Sequence, residues 1–152
     1  MHAVPSNSFP SAARARQAAR GRWVVAATEF AIGIAAVFGG YGLLSDAEGL
    51  GAKQAWLDGT IFPDYTVPGL FLLVVIGGGM LCAAALTVVA ERFARVAAGV
   101  MATLLVLWGS TETVAIGWHG WQQIVLVAAF VAAPALLLAV YAARGRLGSR
   151  EL

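Results

Sequence analysis

The sequence has little of what a redox or metal centre needs. It carries one cysteine, Cys82, and two histidines, His2 and His119. A single cysteine excludes an intrachain disulfide, a CxxC redox pair and a cysteine-rich zinc site. Two histidines leave a haem or a multi-histidine metal centre short of ligands. Charge is scarce as well, at 12% of residues, where soluble domains carry about 25%. So few charges cannot cover a water-soluble surface, which excludes an ordinary cytosolic enzyme, a disordered chain and a coiled coil. No Lys-Ser/Thr follows Gly77-Gly78-Gly79, so these glycines are no phosphate loop. No G-x-S-x-G elbow occurs either. The sequence therefore offers no catalytic residues, no metal site, no cofactor and no nucleic-acid surface.

Apolar side chains are there instead, at 60% of the 152 residues. They collect in four stretches, 23–44, 67–90, 96–117 and 121–142, each long enough for the roughly 20 residues a bilayer crossing takes. The chain has 10 Lys and Arg and 8 Asp and Glu, and of these only Glu29 and Glu112 fall inside the stretches. Without water to satisfy the backbone, each stretch should be a helix. The reading is an all-α, transmembrane four-helix antiparallel bundle over residues 23–142, flanked by basic tails at 1–22 and 143–152.

Arginine sets the orientation. Arg14, Arg16, Arg20 and Arg22 precede the first stretch, Arg92 and Arg95 separate the second from the third, and Arg144, Arg146 and Arg150 follow the fourth. The alternate connections hold Lys53 with Asp46, Glu48, Asp58 and Asp64. The positive-inside rule puts both termini in the cytoplasm of a multi-pass protein, with the bilayer as its first partner. Residues 1–28 contain no acid. They read as a disordered basic flank, or in the rival reading as an organellar transit peptide. The first apolar run is too long for a signal-peptide core, and it contains Glu29.

The connections at 91–95 and 118–120 are short, which makes neighbouring helices antiparallel. The outer loop 45–66 can fold over the bundle. Residues 50–57 have room for one or two helical turns, Phe62-Pro63-Asp64-Tyr65 reads as a turn, and Pro68 suits the first turn of the second helix. Trp23, Trp56, Trp118, Trp121, Tyr65 and Tyr141 lie near the boundaries, as an aromatic belt would.

Two acids stand inside the spans, where an ionisable group is a functional candidate. Glu29 lies about 9 Å from the cytoplasmic end of its helix. Gly33, Ala36 and Gly40 share its stripe, and small residues admit a neighbouring helix. The carboxyl group could bind a proton or cation, or pair with Arg92 or Arg95. It could equally be structural, bonded to Thr28 or to backbone carbonyls. Glu112 lies about 7.5 Å from the outer end of the third stretch. With His119 and Gln123 it could form a polar pocket under the outer loop, or simply an interhelical hydrogen-bond cluster. About 15 Å of depth separates the two acids, so they do not make a catalytic pair. Cys82 reads as a buried, inert thiol, and Gly77–Gly79 as a hinge or a close-contact seam.

Several of these residues together resemble a group of small four-span bacterial membrane proteins that has no assigned activity. They are Glu29 with Gly33, Gly39, Gly40 and Gly42; Asp46, Gly49, Leu57, Gly59, Phe62, Asp64, Tyr65, Pro68 and Gly69; and Trp108, Ile116, Gly117, Trp121 and Gln123. That likeness covers about residues 26–142. It implies a bacterial inner-membrane protein and a hydrogen-bonding role at the position of Glu112. The lack of a catalytic motif and the few polar groups in the spans point to an accessory factor or small subunit of a larger complex or homo-oligomer; the alternative is a small proton- or cation-coupled transporter that uses Glu29, Glu112 or both. A more distant likeness is to DoxX-like proteins, which implies a quinone-linked oxidoreductase component. The second helix lacks the intramembrane Glu such proteins often show. Small multidrug transporters are similar in their four spans and first-helix Glu, and they differ in having short loops.

Overall fold

The computed structural model describes residues 12–117. They form three long helices and one short turn of 3-10 helix, with no strand among the described residues. Helix α1 spans Ala12–Asp46. The 3-10 turn spans Gln54–Leu57. Helix α2 spans Thr66–Val89, and its hydrogen bonding widens to the π pattern over Phe71–Gly78. Helix α3 spans Glu91–Ile116. Each contains a segment long and apolar enough to cross a membrane: Ala19–Asp46, Thr66–Val89 and Arg92–Ala115. The fourth stretch, 121–142, and the C-terminal tail lie outside the described residues.

The start of α1 corrects the disordered basic flank. The helix begins at Ala12, well before the apolar run, because Ala12–Arg20 is built of alanine, arginine and glutamine, all strong helix formers. Its end is set by side-chain chemistry. The Asp46 carboxylate accepts the Gly49 N–H at 2.8 Å, and Gly51 takes a positive φ of 81° as the chain reverses.

The turn expected at 91–95 is also corrected. The break between α2 and α3 is the single residue Ala90, at φ −142° and ψ 68°. The charges that suggested a loop sit on the outer face of the first turns of α3, where Arg92 and Arg95 are exposed while Ala94 and Ala98 are buried. Helical period, not loop composition, explains that alternation. At its far end α3 stops at Gly117, which takes a positive φ of 77°.

Hydrogen bonds that involve side chains help to hold the outer connection. The Gln54 amide donates to the Pro63 carbonyl at 2.7 Å. The Tyr65 hydroxyl donates to the Lys53 carbonyl at 2.8 Å. The Thr60 hydroxyl donates to the Leu57 carbonyl at 2.8 Å. The Thr66 N–H, at the start of α2, donates to the Asp64 carboxylate at 2.8 Å. This last bond lowers the Asp64 carboxyl below the usual carboxylate range. Pro68 falls in the first turn of α2, where its missing N–H is harmless. Tyr65 is buried, so it is a staple inside the connection and not a belt residue. Trp23 is exposed, as a belt residue would be.

Helix α2 is the centre of the assembly. Ala36 of α1, Ile76, Met80 and Ala83 of α2, and Met101 and Leu105 of α3 form the core, with Phe71 and Trp108 stacked beside it at 4.6 Å. Helices α1 and α3 both pack on α2, yet among the described residues their Cα atoms do not approach each other within 8 Å. The three glycines at 77–79 divide the work. A Cβ on Gly77 would stand 2.7 Å from Val37 of α1, and one on Gly79 would stand 2.6 Å from the Met101 sulfur of α3. A Cβ on Gly78 would meet nothing within 4 Å. Two of the three are therefore seams, each toward a different helix.

Candidate functional site

The α1–α2 seam is built from small residues that bring backbones together. A Cβ on Gly40 would lie 2.6 Å from the Leu73 nitrogen and 2.7 Å from the Gly69 carbonyl oxygen. Further along, a Cβ on Gly33 would lie 2.9 Å from the Leu81 side chain. The contacts thus descend α1 as they ascend α2. Following the same register one turn beyond Gly33 brings Glu29 opposite the end of α2.

Glu29 is fully buried, and so is Thr87 of α2. Their side chains meet at 2.7 Å, the Thr87 hydroxyl donating to Glu29 Oε2. Other hydroxyls in these helices behave differently. Those of Thr28, Ser45, Thr103, Thr111 and Thr113 donate to the carbonyl four residues back, at Val24, Tyr41, Gly99, Leu107 and Gly109. Thr87 is turned out of that habit toward the carboxyl group. The alternatives weighed from sequence are thereby corrected. Thr28 is not the partner of Glu29, since its hydroxyl bonds its own helix. Arg92 is exposed and lies over the Phe93 ring at 4.5 Å.

The second carboxyl oxygen is different. Glu29 Oε1 is buried without a hydrogen-bond partner. Arg22 Nε, seven residues earlier on the same stripe, is the other buried side-chain atom left unpartnered among the described residues. The nearest cation along the helix therefore does not satisfy the carboxyl. An unpaired polar atom in an apolar seam carries a desolvation cost that packing has to offset, and such atoms call for an explanation.

Glu112 lies half-buried near the outer end of α3. It acts on the outer connection: burial first, and the Glu112 charge second, push the Tyr65 phenol above the ordinary tyrosine range. The 3-10 turn Gln54–Leu57 also packs against α3, and Leu57 is buried there. His119 and Gln123, expected to share a pocket with Glu112, lie outside the described residues. Cys82 is exposed on the outer face of α2, which corrects the expectation of a buried thiol. Among the described residues no group of three or more His, Cys, Asp and Glu is placed to hold a metal ion.

Sequence reasoning named Glu29 but passed over Thr87 as its partner. A signal for it exists: Thr87 is the one hydroxyl-bearing residue of α2 within its apolar run, 67–89. Tyr65 was missed as a structural residue because aromatic residues at span boundaries look alike in sequence whether they face lipid or fold inward. Comparison with protein-family models, curated proteins and solved structures finds no match, so the likenesses to four-span and DoxX-like proteins rest on the sequence motifs.

Proposed function

We propose that the protein is a multi-pass protein of the bacterial inner membrane, with both termini cytoplasmic, acting as an accessory factor or small subunit within a larger complex or homo-oligomer. In this reading the apolar run 121–142 is a fourth helix that completes an antiparallel bundle. The separation of α1 from α3 supports it, because in such a bundle the first and third helices are diagonal partners. The connection 118–120 is also short enough to return the chain beside α3.

One observation carries the accessory reading. Among the described residues, the fully buried polar side chains are Glu29 and Thr87, and they are bonded to each other. Among the described residues no row of buried polar groups lines a path along which a solute could cross. Large side chains point outward instead: Trp23, Phe30, Phe38, Tyr41, Phe93 and Val114 are exposed, and they suit lipid or the helices of a partner.

Cross-linking in native membranes followed by mass spectrometry tests this. The expected result is a recurrent cross-linked neighbour, either a larger membrane protein or a second copy of this chain. Recovery of the chain without any cross-linked neighbour, together with solute uptake by vesicles that hold the purified protein, would replace the accessory reading with a carrier. A quinone-linked role would instead show as quinone retained after gentle extraction.

A further inference from the structure

From the bare second oxygen of a fully buried carboxyl group we infer that Glu29 is a proton-binding site in the α1–α2 seam. The inference rests on the membrane reading above but not on the accessory role.

The carboxyl group is enclosed on every side, at 0% exposure. One oxygen, Oε2, accepts from the Thr87 hydroxyl at 2.7 Å, and the other, Oε1, meets no donor. A carboxylate would need donors or a cation at both oxygens to be stable away from water. The neighbouring elements provide neither. From α2 the group that faces it is the Thr87 hydroxyl, which does not titrate, and Cys82 is exposed on another face. From α3 the nearest cations by sequence, Arg92 and Arg95, are exposed. Along α1, Arg22 shares the stripe at about 10.5 Å of helix rise, and its Nε is itself unpartnered.

A proton on Oε1 resolves this arrangement. It makes Oε1–H a neutral group, far less costly to bury unpaired than an anionic oxygen. Oε2 is then the carbonyl oxygen, the better acceptor for the Thr87 hydroxyl. Ionisation would leave a bare charge between two closely packed helices, so release of the proton requires the seam to admit water. The seam and the proton are thereby linked: closing favours the acid, and wetting favours its loss.

Infrared spectroscopy of the full-length protein reconstituted in lipid vesicles reads this directly. The carbonyl stretch of a neutral carboxylic acid is resolved from carboxylate and amide bands. The wild type is expected to show that band at neutral pH and to lose it reversibly as pH is raised. E29Q removes the band and E112Q keeps it. T87V moves it to higher frequency, because the carbonyl loses its donor. Absence of the band at neutral pH, its survival in E29Q, or its removal by E112Q would each overturn the inference. If E29Q does not reconstitute, T87V decides: a band that does not move there does not belong to Glu29.

Discussion

Thr87 and Glu29 do not stand symmetrically in their shared hydrogen bond. Removing Thr87 as T87V leaves both carboxyl oxygens without a partner in a sealed seam, which costs roughly 1–3 kcal/mol for a stranded buried polar group. Removing the acid as E29L strands a hydroxyl that can turn back to the carbonyl four residues earlier, as Thr103 does to Gly99. The loss is then nearer the bond itself, about 0.6 kcal/mol within a membrane. E29Q keeps an acceptor for Thr87 and should unfold close to wild type. Unfolding of the three variants in mixed detergent should therefore rank E29Q, E29L and T87V in order of falling stability. Equal losses in all three would mean that the hydrogen bond is not what the seam depends on. At the outer end, Tyr65 gives a pH test. Its phenol is held above the ordinary tyrosine range by burial and then by the Glu112 charge. A folded-state value above the unfolded one means that this contribution is complete below the unfolded value and is lost as pH rises through the folded one. The ultraviolet absorbance of tyrosinate, taken as the difference from Y65F, should show Tyr65 ionising late, and E112Q should bring it earlier. No change in E112Q would remove Glu112 from that environment.

At the scale of the helices, backbone approach governs the α1–α2 seam. A methyl group on Gly40 would strike the Leu73 nitrogen and the Gly69 carbonyl oxygen, and backbone atoms cannot rotate aside as a side chain can. G40A should push the helices apart and cost about 1–3 kcal/mol, as overpacking does. G78A places its methyl group in open space and should leave the unfolding midpoint in detergent near wild type. A loss in G78A equal to that in G40A would show that the π-bonded segment, not the seam, resists substitution. The helices themselves were legible from the sequence. The spans expected at 23–44, 67–90 and 96–117 match α1, α2 and α3, the second and third each running one residue past its helix, to Ala90 and Gly117, since exclusion of charge from apolar runs is a strong signal. Their ends were less legible, because alanine and arginine at 12–22 and the charges at 91–95 are compatible with both helix and loop until the buried face is known. The stripe on α1 pointed to a helix neighbour, but period alone could not say which residue of α2 would meet Glu29. The π segment has no local signature that periodicity detects, since it changes the register of one helix by the bonding of its backbone.

Across the whole molecule, charge asymmetry is the basis of the proposed topology. Arg14, Arg16, Arg20 and Arg22 lie in the first part of α1 and Arg92 and Arg95 at the start of α3, whereas Asp46, Glu48, Asp58 and Asp64 lie from the far end of α1 through the outer connection. A reporter fused after Arg146 should be active in the cytoplasm, and one inserted near Lys53 should be active outside. A reporter after Arg146 that works only on the outer side would invert or break the four-span arrangement.

The separation of α1 from α3 has a mechanical consequence. Among the described residues α1 and α3 each approach α2 closely and not each other, so a displacement of one reaches the other chiefly through α2, with the outer connection, whose 3-10 turn packs on α3, as a second route. The stretch of α2 on which both helices pack is chiefly Gly79–Val89, while the π-bonded Phe71–Gly78 packs mainly on α1. Thr87 falls in that same Gly79–Val89 stretch, so the part of the middle helix that joins α1 to α3 also holds the partner of the buried Glu29 carboxyl group.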